Sequence, residues 1–197
     1  MRAFELINSD KFILSIEDIA KLLSIRKESA KVTANRYVKT KQLIRIKRNF
    51  YITQADFKKL KEEDYFRLAN LLQVPSYISL TSALGYYNIS TQQMQGIIES
   101  IALKRTRNIT IENAEFKFLL IKKDLYTNFI LERQFFIATP EKALADTIYL
   151  TSLGKYNCDF DAIDFNKLDK QKINQIIELT NSKTKTFWNN LCERYKI

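Results

Sequence analysis

The sequence predicts an α+β protein in two parts: a small helix-rich N-terminal domain ending in a basic β-hairpin, then a larger mixed α+β domain. Three observations carry this. Apolar residues recur at helical spacing over residues 15–39 and then switch to short β-type runs at 43–52. Beyond residue 75, strand-like runs rich in Ile and Phe precede a run of helical patterns. The charge is unevenly divided: residues 1–60 hold 14 Lys/Arg against 6 Asp/Glu, a net +8 of the chain's +10, whereas residues 61–197 hold 18 against 16.

The elements of the first domain, residues 1–56, follow in order. Phe4, Leu6 and Ile7 mark a short helix over 1–8, broken at Ser9-Asp10. Phe12-Ile13-Leu14 is a short strand-like run. Ser15 is a good N-cap, with Glu17 and Asp18 in the first turn behind it. The helix it opens carries Ile16, Ile19, Ala20, Leu22 and Leu23 and should end near Ser24. The short connection Ser24 to Arg26 leads to a second helix, about Lys27 to Lys39. Its apolar stripe is Ala30, Ala34 and Val38, with Tyr37 beside it. The opposite surface shows Lys31, Thr33, Asn35, Arg36 and Lys39. Leu43–Ile46 and Phe50–Ile52 then flank Lys47-Arg48-Asn49, a hairpin with a basic tip, where Asn49 can take the left-handed turn position usual for Gly. Helix, helix, helix and basic hairpin, in that order, predict a winged helix-turn-helix.

A helical linker, one helix or two, is expected over 57–74, with Lys58 to Leu72 mostly helical and Val74-Pro75-Ser76 as its end. The second domain, 75–197, should open with a short amphipathic helix over Tyr77 to Tyr87, capped by Ser79 or Thr81. Strands are expected at Ile97–Leu103, Ile109–Ile111, Phe116–Ile121 and Phe135–Ala138. Thr139-Pro140-Glu141 starts a further helix closed by Gly154. Helices at about 170–180 and 183–195 finish the chain.

Composition narrows the function. There is no histidine, which removes His-based triads and the usual zinc sites. The three glycines, Gly85, Gly96 and Gly154, are too scattered for a phosphate-binding loop or a dinucleotide fingerprint. Cys158 and Cys192 read as reduced thiols. No run suggests a membrane span or a signal peptide, so a cytoplasmic address is expected. Neither cofactor nor metal is called for, and no catalytic residue is assigned. Nine basic residues against the single acid Glu28 within 26–48 are a footprint for a polyanion. The expected partner is double-stranded DNA. Candidate groove contacts are Lys31, Thr33, Asn35 and Arg36, since Asn suits adenine and Arg suits guanine, and Lys39 on the same surface joins the DNA-binding set. Arg26 and Lys27 at the helix start, and Lys41, Arg45, Lys47, Arg48 and Asn49 on the hairpin and its approach, complete the DNA-binding set, the tip residues touching phosphate or a minor groove.

Three segments then resemble one family. Leu43-Ile44-Arg45-Ile46-Lys47-Arg48-Asn49-Phe50-Tyr51 resembles the wing of the AbiEi family of abortive-infection antitoxins, which usually has Gly where Asn49 stands. Pro75-Ser76-Tyr77-Ile78-Ser79-Leu80-Thr81-Ser82-Ala83-Leu84 resembles the signature at the start of that family's C-terminal domain. Ala138-Thr139-Pro140-Glu141-Lys142-Ala143-Leu144-Ala145-Asp146 resembles its later signature. The resemblance implies a transcriptional autorepressor that binds inverted repeats in its own promoter. It also implies an antitoxin of a type IV toxin–antitoxin pair, neutralising a nucleotidyltransferase-like toxin without a stable complex. A monomer or weak dimer is expected, with cooperative loading on DNA compatible with either.

A rival class is a metal-dependent nuclease or restriction-type enzyme with a DNA-targeting head. Its motif would be Glu115-Phe116-Lys117, two polar residues sharing one face of a strand, as any half-buried strand also shows. Glu141 and Asp146 read as structural acids, the first in a helix's opening turn and the second spaced to pair with Lys142. Lys104-Arg105-Thr106-Arg107 reads as a basic loop.

Overall fold

The computed structural model describes residues 5–6, 9, 11–92 and 95–197. The chain is a mixed α+β protein that divides into two compact units, Met1–Asp64 and Tyr65–Ile197. Most of the helix expected over 1–8 lies outside the described residues. Of it, Glu5 and Leu6 are described and helical, with Leu6 buried in the core.

In the first unit, β1 (Leu14–Ser15) runs directly into α1 (Ile16–Leu22). Ser15 and Asp18 form a reciprocal capping box: the Asp18 amide donates to Ser15 Oγ at 3.1 Å, and the Ser15 amide donates to the Asp18 carboxylate at 2.9 Å. Two orphan amides of the helix start are thereby met. Leu23–Arg26 links α1 to α2 (Lys27–Lys39), with Ser24 in the left-handed region at φ 50°. The hairpin follows as β2 (Leu43–Lys47) and β3 (Phe50–Thr53), then the single turn α3 (Gln54–Phe57). The strands form an antiparallel sheet in the order β1-β3-β2. One apolar cluster joins these parts: Leu14, Ile16, Ile19, Leu23, Ala30, Ala34, Tyr37, Leu43 and Tyr51 are all buried in it. Ala30 and Ala34 are small because α2 lies close against α1 there, and each fully buried aliphatic or aromatic partner contributes about 1.5–3 kcal/mol.

Of the stretch expected to be mostly helical as one helix or two, Glu62–Leu72 is helical. After α3, residues 58–61 are non-helical and α4 starts only at Glu62, running to Leu72. The acids Glu62, Glu63 and Asp64 fill its first turn, where the helix dipole favours them. The division between the two units falls inside this helix.

The second unit is built on a six-stranded sheet in the order β6-β7-β5-β4-β9-β8. Its strands are β4 (Ser76–Ile78), β5 (Ile97–Ala102), β6 (Arg107–Ile111), β7 (Ala114–Leu120), β8 (Phe129–Glu132) and β9 (Phe135–Ala138). The β4–β9 and β5–β7 pairings are parallel and the rest antiparallel. Two parts differ from the sequence expectation. Within the stretch Tyr77–Tyr87, Tyr77 and Ile78 belong to a strand that begins at Ser76, and α5 covers Leu80–Tyr86 with Ser79 at its N-cap position. A three-residue strand buried on both faces has no alternation to betray it. Strand β8 was not expected at all. It pairs with β9 across the two-residue turn Arg133-Gln134, both at positive φ (40° and 73°). This backbone normally selects Asn-Gly, so the turn carries no sequence cue.

Helix α6 (Pro140–Ser152) is buried along nearly all its length, from Lys142 to Leu150. Thr139 caps it by accepting from the Lys142 amide, Pro140 occupies its first turn, and Gly154 follows its end at φ 69°. Helices α5, α7 (Lys170–Glu178) and α8 (Ser182–Tyr195) pack against it. Among the described residues, no helix is long and apolar enough to cross a membrane.

Candidate nucleic-acid interface and a buried polar network

The α2 helix turns by about 100° per residue, and this decides which side chains it offers. Ala30, Ala34 and Tyr37 are buried, and Thr33 and Val38 are half-buried along the flanks. The exposed arc holds Glu28, Lys31, Val32, Asn35, Arg36 and Lys39. Lys31, Asn35, Arg36 and Lys39 thus stand together as expected, whereas Thr33 is drawn toward the core side. Val32, a residue that sequence reasoning passed over, is 70% exposed in the middle of the arc. The signal was present: at 100° per residue, Val32 falls opposite the Ala30–Ala34–Tyr37 stripe.

The helix start is less free than the sequence implied. Lys27 forms an ion pair with Glu17 of α1, both side chains lying in solvent. Arg26 is the N-cap residue and makes no side-chain capping bond. It is exposed, beside amides that an incoming anion could meet.

On the hairpin, Lys41, Arg45 and Arg48 are exposed, but Lys47 and Asn49 are half-buried. The Lys47 ammonium lies 4.8 Å from the centre of the Phe50 ring, and burial pulls its pKa down. Asn49 adopts φ 67°, which explains why a Gly-type position can hold Asn, and its carbonyl accepts from the Ile16 amide at 3.1 Å. Asn49 therefore fastens the hairpin tip to the start of α1. Arg36 extends along its neighbour, its guanidinium 5.5 Å from the Tyr37 ring centre.

The second unit holds a polar network that the sequence only half announced. Lys142 and Asp146, both 1% exposed, form an ion pair at 2.6 Å. The Lys142 ammonium also donates to the Leu125 carbonyl at 2.7 Å. Asp146 accepts from Tyr77 OH at 2.9 Å and Ser79 Oγ at 2.8 Å. Tyr77 is stacked on Phe129 at 4.7 Å, and burial together with the Asp146 charge holds its phenol far above its ordinary pKa. The segments Pro75–Leu84 and Ala138–Asp146, sixty residues apart in sequence, thus meet at one carboxylate.

Glu99 lies on β5 beside this region and is buried. Burial raises its pKa, opposed by Tyr156 OH, which donates to it at 2.9 Å, by the Lys117 charge, and by the Thr81 and Ser82 amides. Tyr156 OH also meets Thr81 Oγ1 at 2.7 Å. Ser79 donates its hydroxyl to Asp146 and makes no capping bond to α5. The Glu99 carboxylate faces the amides of that helix start instead. The acid and base of the rival enzymatic motif are engaged with one another: Glu115 and Lys117 pair at 3.8 Å. Among the described residues, no group of three Cys, Asp or Glu side chains is gathered to hold a metal ion. Glu141 lies in the first turn of α6, partly buried, with Lys172 at 4.0 Å. Lys104 to Arg107 are exposed, the last of them opening the edge strand β6.

Comparison with known proteins finds no matching family model, no matching curated protein and no matching solved structure.

Proposed function

We propose that this chain is a double-stranded-DNA-binding transcriptional autorepressor whose N-terminal unit is a winged helix-turn-helix. One observation carries the reading. A single helix face gathers Lys31, Asn35, Arg36 and Lys39, all exposed, in a unit whose hairpin also exposes Arg45 and Arg48. Asn and Arg are the side chains that bond adenine and guanine edges bidentately in the major groove. The hairpin and helix-start cations, Arg26, Lys41, Arg45 and Arg48, suit phosphate contact.

The test is binding to the DNA upstream of the chain's own gene. Affinity on the order of 10 nM for repeats there is expected, with log K falling linearly in log salt by roughly 0.9 per phosphate contacted. Equal affinity for that DNA and for random duplex sinks specific repression.

We further propose that the chain serves as the antitoxin of a type IV toxin–antitoxin pair, acting in the cytoplasm without a cofactor or catalysis of its own. The support is the resemblance of its two C-terminal segments to the AbiEi signatures, and their meeting at Asp146. The toxin would be nucleotidyltransferase-like and neutralised without a stable complex. Growth arrest caused by the neighbouring gene's product should be relieved by expressing this chain; unrelieved arrest removes the antitoxin half while leaving the repressor half standing. Plasmid incubated with the protein and Mg²⁺ or Mn²⁺ should remain intact, and cleavage abolished by Glu115→Ala would replace the reading with a nuclease.

A further inference from the structure

We infer that Val32 reads a thymine methyl group in the major groove, making it a specificity-determining residue of the α2 face. The inference rests on the DNA-binding reading of that face. Val32 is 70% exposed in the middle of a thirteen-residue helix. Most of its surface is given to solvent, and a β-branched residue is a poorer helix former than Ala. Its neighbours one turn away, Glu28, Asn35 and Arg36, are exposed and polar, as is Lys39 two turns on. The apolar area is therefore that of one isopropyl group set among hydrogen-bonding and charged side chains. That is too small for a protein-docking face, which spans hundreds of Å².

The edges of the four base pairs in the major groove are donors and acceptors, with one exception, the C5-methyl of thymine. An isolated isopropyl group flanked by Asn35 and Arg36 is complementary to a thymine flanked by purines that offer N7 acceptors. Polar neighbours would fix the register, and Val32 would then reject cytosine, which presents an amino donor and no methyl at that place.

The experiment begins with the full-length protein and a random duplex library, from which a preferred site is selected. Each thymine of that site is then replaced in turn by deoxyuridine, which removes only the methyl. At one position, or two adjacent ones, the wild-type protein should bind about fourfold more weakly, the worth of one buried methyl group. Val32→Ala should bind the intact site several-fold more weakly and show no further loss on uracil at that position. Replacing that thymine by cytosine should weaken binding, and 5-methylcytosine there should recover about fourfold. Because Val32 is exposed and Ala is the better helix former, the thermal melt of Val32→Ala should be no lower than that of wild type. Indifference to uracil at every position, or an unchanged uracil penalty in Val32→Ala, overturns the assignment. A selection that yields no preferred site overturns the DNA-binding reading beneath it, and the two failures are distinct because the uracil scan is possible only once a site exists.

Discussion

Asp146 answers to three donors inside the second unit, and its energetics follow from that. Lys142 supplies the charge, Tyr77 and Ser79 the remaining hydrogen bonds, and neither end of the ion pair reaches water. Removing one partner leaves a buried charge uncompensated, so Asp146→Ala should destabilise the protein by about 3–5 kcal/mol. The double variant Lys142→Met/Asp146→Leu should recover only part of this: no orphan charge remains, while the Tyr77 and Ser79 hydroxyls and the Leu125 carbonyl lose their partners. Urea unfolding of both variants checks the pair; equal losses would mean that the cost lies in the orphaned hydrogen-bonding groups and the packing and not in the charge. A second residue-scale case is Asp18. Burial raises its pKa, but hydrogen bonds from Lys11 and Ser15 outweigh this and bring it from 3.8 to about 2. With the folded value below the unfolded one, the capping box contributes fully above about pH 4 and is lost as pH falls toward 2. Asp18→Asn should therefore be less stable than wild type by about 1 kcal/mol at neutral pH, and the gap should close between pH 4 and pH 2. A gap unchanged with pH would show that charge is not its source.

At the scale of elements, the most accessible change is the β8–β9 turn. Arg133 and Gln134 both sit at positive φ, a conformation costing L side chains roughly 1 kcal/mol or more each. Arg133→Asn/Gln134→Gly should raise the melting temperature by several degrees; a lowered one would show that the present side chains hold the turn. The same turn explains why β8 could not be read from the sequence. A type of turn that ordinarily announces itself as Asn-Gly is written here as Arg-Gln, and the strand before it, Phe129–Glu132, is only four residues long. Strand β4 was hidden for another reason: burial on both faces erases the period-two pattern, leaving Ser76 to be read with the break before it and Tyr77-Ile78 with the helix that follows. Elements with strong local chemistry were legible. Lys27–Lys39, with its two-alanine stripe, and Pro140–Ser152, with its Thr-Pro start and Gly154 after it, lie where their residues place them. On the candidate interface, exposure followed periodicity: Lys31, Asn35, Arg36 and Lys39 face away from the alanine stripe, and Thr33, about 60° round the helix from Ala30, is half-buried on its flank. Asn49 and Lys47 are committed to the fold through contacts with Ile16 and Phe50, partners that lie across a sheet and that spacing alone does not reveal.

For the whole molecule, the division of charge makes its own prediction. The N-terminal sixty residues carry +8 and the remainder +2, so salt-dependent DNA affinity should reside in the former. Arg48→Ala should flatten the salt slope by roughly 0.9, whereas Arg105→Ala/Arg107→Ala in the second unit should leave it unchanged. An equal effect of both would place the exposed loop before β6 on the DNA as well. The ion-paired carboxylate of α6 has a last consequence, for how the second unit can be probed. Tyr77, Ser79, Lys142 and Asp146 are all sealed inside the protein. A molecule arriving from solution meets none of them in the folded state, so substitution at these four positions interrogates the scaffold, and only solvent-facing positions interrogate what the unit binds.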